Sequence, residues 1–175
     1  MRIAVLLLLG CLAVAPSTAS ADIYDVSGQF GGSYLCIGAA SGGVRFDAAT
    51  GKWIQAKFGT EDDKFVVAVK PSQVKQVPVF GIPTSAMQYG ISVRPLGRPA
   101  SDCSLKGIAK DIDLEGPTVS IFPSGRVQCT AALSDYDFNF SDLRFMLVYA
   151  VGFIDGKDDS KNTPYIEIGT CSRID

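Results

Sequence analysis

No histidine occurs anywhere in the 175 residues. That absence removes the commonest general base, the commonest zinc ligand and the side chain that normally titrates between about pH 6 and 8. Stability is therefore expected to be almost flat across that window, falling only in acid where hydrogen-bonded or paired carboxylates take up protons. The chain also lacks any C-x-x-C pair, which argues against a structural zinc site. Beyond the first residues no apolar run approaches the roughly 18 positions needed to span a bilayer as a helix. There is no basic cluster, and with it goes the electrostatic footprint of a nucleic-acid binder. Phosphate-cradling signatures are missing as well, because the small-residue run Gly38 to Gly43 is followed by neither a helical pattern nor Gly-Lys-Ser/Thr. Ser72 and Lys75 have the S-x-x-K spacing of serine acyl-enzymes, but the partner motifs of such enzymes do not occur, so the spacing reads as chance.

What is present begins with Met1-Arg2, an apolar run from Ile3 to Ala15 and the small-residue end Ala19-Ser20-Ala21. This is the pattern of a secretory signal peptide (residues 1–21) cleaved after Ala21, leaving one exported β domain over residues 22–175 in the periplasm or outside the cell. The alternative is a lipoprotein anchored at Cys11. Removing the first 21 of 175 residues leaves 154, enough for a self-supporting core, and removing Cys11 leaves four of the five cysteines. Arg2 is the only charged residue of the leader, so the net charge of −2 becomes −3 without it. An even number of cysteines in an exported chain implies two disulfides with three possible connectivities. We favour Cys36 with Cys171, joining strands near the two ends of the domain, and Cys103 with Cys129, tying a long loop to the strand after it.

The hydropathy pattern is that of strands. From Leu143 to Phe153 every odd position is bulky and apolar, which predicts a central strand with Phe145 and Tyr149 on a buried face and Arg144 on the other. Ser33 to Ile37 is a strand that the run Gly38 to Gly43 interrupts with a turn or a wide bulge. Val44–Asp47 and Lys52–Phe58 flank Ala48–Gly51 as a hairpin, and Thr118–Phe122 and Arg126–Thr130 flank Pro123-Ser124-Gly125 as another. Lys64 to Lys70 and Tyr165 to Cys171 are further strands, and Leu105 to Leu114 has weak helical spacing. Prolines at 71, 78, 83, 95 and 99 exclude a long helix from Pro71 to Pro99 and confine strands there to short or edge positions; Tyr89 to Val93 is the expected strand, and the rest reads as an irregular apolar loop, a lid over the sheet or part of a binding rim. About eight short strands with little helix predict an all-β, single-domain antiparallel β-sandwich or small β-barrel.

Two function classes survive. The first is a non-catalytic binding or inhibitory module with no catalytic residue, cofactor or metal, taking a protein or small ligand as partner and no nucleic acid. Its candidate contacts are Phe80 and Tyr89 in the Pro71 to Pro99 loop, since long ordered loops often carry function, and Trp53 as a stacking platform. The second is a glycosidase-like hydrolase using two carboxylates from Asp135, Asp137, Asp142 or Glu167, a chemistry that needs no histidine. Two buried carboxyls facing each other across a cleft would favour the second class. Asp155, Asp158 and Asp159 invite a calcium reading, but Lys157 and Lys161 oppose it and the spacing is not that of an EF-hand.

Overall fold

Apolar residues at every second position of successive strands turn one face of a single antiparallel sheet into a continuous core. The computed structural model describes residues 22–60, 63–104, 118–151, 153–154, 156–159 and 163–175. The expected signal peptide, the Cys11 anchor and the weak helix at 105–114 lie outside the described residues. Among those residues there are ten strands and no helix. They are β1 (Gly32–Asp47), β2 (Lys52–Phe58), β3 (Lys64–Val79), β4 (Ile82–Pro95), β5 (Ser101–Asp102), β6 (Thr118–Ser120), β7 (Arg126–Ala131), β8 (Ser134–Asn139), β9 (Arg144–Tyr149) and β10 (Tyr165–Arg173). The sheet runs β5-β4-β3-β1-β10-β9-β8-β7, with β2 added on β1 and β6 on β4. Phe65, Val67 and Val69 of β3, Tyr89, Ile91 and Val93 of β4, Tyr136 and Phe138 of β8, and Phe145 and Leu147 of β9 all enter one core cluster.

The two extremes of this sheet meet without closing it into a barrel. Just past β5, Ser104 and Thr130 of β7 exchange backbone hydrogen bonds of 3.0 and 2.7 Å, an isolated bridge among the described residues. The disulfide Cys103–Cys129 lies beside that bridge, while Cys36–Cys171 links β1 to β10 at directly opposed positions.

One pair of alternatives is decided and three expectations are corrected. The small-residue run at 38–43, expected to hold a turn or a wide bulge, holds a bulge: β1 continues through it with a register shift between Gly38 and Ala40. Glycine is needed there because the backbones approach closely; a Cβ on Gly43 would run into the Pro164 carbonyl. The predicted central strand is shorter and off-centre, since β9 ends at Tyr149 and the middle of the sheet is the β1–β10 pair. The strand expected at Tyr89 to Val93 lies within β4, but most of the remainder from Pro71 to Pro95 is paired rather than irregular, because β3 and β4 pair from Phe65↔Pro95 out to Val79↔Ile82. Finally, the turn at 123–125 exists, but β6 pairs with β4 rather than forming a ladder with β7.

Candidate functional site

The bulge in β1 is also a fork. One edge of β1 pairs with β3 from Gly32 to Ile37 and with β2 from Ser41 to Asp47, so around 38–40 it changes neighbours. The other edge stays paired to β10 across the change. Beside the fork lies a recess of about 410 Å³ lined by Ser41, Phe58, Asp63, Tyr149, Thr163 and Tyr165. Glu167 does not line the recess but neighbours it: it is directly opposite Ser41 on β1 and Leu147 on β9, and one pleat along β10 from Tyr165, hence on the same face.

Glu167 is only 4% exposed, and its Oε1 has no hydrogen-bond partner. Gly38 makes the space, since a Cβ there would sit 2.5 Å from Oε1 and 3.1 Å from the Thr60 Cβ. Burial, reinforced by the negative charge of Asp63, pushes the Glu167 carboxyl up to about 7. The cause is desolvation of the charged form with no cation to offset it. The same environment raises Tyr165, through burial, Glu167 and Asp63 in that order, and pushes Tyr136 up to about 12, chiefly by burial. The expectation that nothing titrates between pH 6 and 8 is thereby overturned: a buried carboxyl takes the place of the missing histidine. The walls are aromatic, with Tyr149 and Tyr165 stacked at 5.7 Å and Phe58 at 5.9 Å from Tyr165.

The other three candidate carboxylates are dispersed. Asp137 is held by Arg126 at 2.6 Å and Gln128 at 2.9 Å, and although burial opposes it, these bonds lower its proton affinity. Asp135 accepts from the Thr130 hydroxyl at 2.8 Å, and Asp142 accepts from Asn139 at 2.8 Å. Among the described residues no second buried carboxyl is placed against Glu167; the described acid that acts on it is the exposed Asp63, which sequence reasoning did not single out. Among the described residues no group of three or more potential ligands is placed to hold a metal ion.

The three candidate contact residues part company. Tyr89 cannot touch a partner: it is fully buried, and its hydroxyl donates to the Asp25 carboxylate. Asp25 also accepts from Ser27 and from the Gly28 N–H, and these bonds hold its carboxyl low despite burial. This pins residues 25–31 over the end of the sheet. Trp53 is half-buried, edge-on to Phe153 at 5.2 Å, with its indole N–H donating to Asp158 at 2.9 Å. It serves as a cover packed on Phe153 and tied to Asp158. Phe80 alone is fully exposed, at 101%. It occupies the tip of the β3–β4 hairpin with φ +50°, followed by Gly81 at φ +80°. Beyond Pro71 and Met87 the two strands pair with no further strand, so the hairpin is a two-stranded ribbon there. Ile82 beside Phe80 is also exposed.

Comparison of the chain with protein-family models, with curated proteins and with solved structures yields no match.

Proposed function

We propose that the protein is an exported, disulfide-stabilised, non-catalytic binding module that engages another protein through the tip of the β3–β4 ribbon. The observation that carries this reading is Phe80, a large aromatic held wholly outside the core in a backbone conformation that costs a non-glycine residue about 1 kcal/mol or more. Stability does not account for such a residue. An anchor that fills an apolar pocket on a partner does. Between Pro71 and Met87 the ribbon carries one charged residue, Lys75, and no acid, so the complementary surface is chiefly an apolar pocket and affinity should depend little on salt. Both disulfides suit the oxidising compartment in which such a module works.

A photo-crosslinking amino acid placed at position 80 tests the reading, with position 133 as a control because Leu133 is 68% exposed on an unrelated turn. In the envelope or medium of the producing cell, position 80 should give one discrete protein adduct that position 133 does not. Excess wild-type protein should compete it away and Phe80→Ser should not, since loss of a central aromatic anchor costs about 2 kcal/mol or more. Adducts to lipid alone, or the same adducts from both positions, would reject it.

A second reading is favoured by one observation, the raised Glu167 carboxyl with Asp63 nearby. In a glycosidase-like hydrolase Glu167 would be the protonated acid and Asp63 the ionised partner. Turnover of oligosaccharides that Glu167→Gln abolishes would establish it.

A further inference from the structure

We propose that the recess at the β1 fork binds a small organic cation, an ammonium or guanidinium group on a short apolar carrier, whose charge pairs with the Glu167 carboxylate through its orphan Oε1. This site is separate from the Phe80 tip and does not depend on it. A buried charge-bearing group is normally satisfied by a partner, because leaving it bare costs far more than one hydrogen bond is worth. Glu167 has an orphan oxygen seated against Gly38, and the residue directly opposite it, Ser41, and the residue one pleat away, Tyr165, both line a recess large enough for a small molecule. The walls contributed by Phe58, Tyr149 and Tyr165 present aromatic rings, which attract cations. Asp63 adds a second negative charge. Two carboxylates among aromatic rings suit a weakly hydrated organic cation better than a metal ion, which needs a fuller set of hard donors.

The groups acting here are Asp63, Tyr136, Tyr149 and Tyr165, with Arg98 felt at Tyr165. Among the described residues none of these supplies Glu167 with a counter-cation. A cationic ligand therefore has to displace the Glu167 proton, and the proton leaves to solvent as the ion pair forms. A neutral ligand that accepted a hydrogen bond from the protonated acid would behave oppositely, binding more weakly as the acid ionises. The sign of the pH dependence separates the two.

The oxidised mature protein should be titrated calorimetrically with n-butylammonium, n-butylguanidinium and tetramethylammonium, with n-butanol as the neutral isostere, in buffers of different ionisation enthalpy. At least one cation is expected to bind with 1:1 stoichiometry and a dissociation constant of about 1 mM or tighter. Its affinity should rise roughly ten- to thirtyfold from about pH 5.5 to pH 8, with more than about half a proton released per ligand near pH 6.5. Glu167→Gln, which keeps the side-chain shape, should abolish the proton release and weaken binding at least about tenfold. Phe80→Ser should change neither. Failure of all three cations to bind, equal binding of n-butanol, affinity that falls with pH, or an unaffected Glu167→Gln protein would each overturn the proposal.

Discussion

Phe145 is buried with its ring 4.9 Å from that of Phe65 and lies against Gly169, where a Cβ would collide with it. Its neighbour Arg144 faces outward. Phe145→Ala should cost about 3 to 5 kcal/mol by leaving a core cavity, and Arg144→Ala no more than about 0.5 kcal/mol. Denaturant unfolding of the two variants checks this, and the reverse ranking would mean a register shifted by one residue. That alternation was legible because in β9 the large apolar residues and the buried face coincide. In β10 they do not: Ile166 and Ile168 are exposed while Tyr165, Glu167 and Cys171 share the inner face. Hydropathy alone therefore hid which of the four candidate acids is buried. A phase marker was nevertheless present, because a cysteine expected in a core disulfide at 171 places residue 167, four positions earlier in the same strand, on the same side.

At the scale of elements, the β3–β4 ribbon shows why proline content misleads. Between 71 and 87 each strand is paired along one edge only. Half of the N–H groups there are not required by any ladder, so proline is tolerated, and Pro71 also borders the irregular register between Pro71 and Val74. Pro78 and Pro83 are opposed near the tip. The prolines mark an edge rather than a loop. Candidate contacts drawn from the same stretch then separate by pleat: Tyr89 lies where β4 joins the body of the sheet, and Phe80 at the far end. At the tip, Asn adopts the left-handed conformation far more readily than Phe. Phe80→Asn should therefore leave the thermal midpoint unchanged or raise it by a few degrees, a gain of about 0.5 to 1 kcal/mol, while removing the partner contact. A thermal melt that falls by several degrees would show that Phe80 has a structural role instead.

For the whole molecule, strand number and all-β class follow from the spacing of turns and alternation, whereas the order of strands depends on long-range pairing that no local pattern encodes. The fork of β1 is the plainest case: nothing in 38–43 announces that one strand serves three partners. The sheet ends are fastened by Cys103–Cys129, which closes a loop with a sequence separation of 26. Replacing both cysteines with alanine should cost about 3 kcal/mol by releasing the unfolded chain, and should raise amide exchange at Ser104 and Thr130, whose mutual hydrogen bonds are the only backbone bridge there among the described residues. Unchanged exchange at those amides would show that the bridge holds the edges without the disulfide. The claim at the centre of this account is that a protein without histidine keeps one carboxyl buried and neutral at the fork of its sheet, with its Oε1 lacking a hydrogen-bond partner. Between the ordinary glutamate value of 4.5 and about 7, Glu167 is protonated in the folded chain and ionised in the unfolded one. Its contribution to stability is thus fully present below that interval and is lost as pH rises through it, by roughly 2 to 3 kcal/mol in all. The direct measurement is proton exchange with buffer on calorimetric unfolding near pH 6, compared with Glu167→Gln. The account predicts release of close to one proton by the wild-type chain and none from this source in the variant; identical release from both proteins would contradict it.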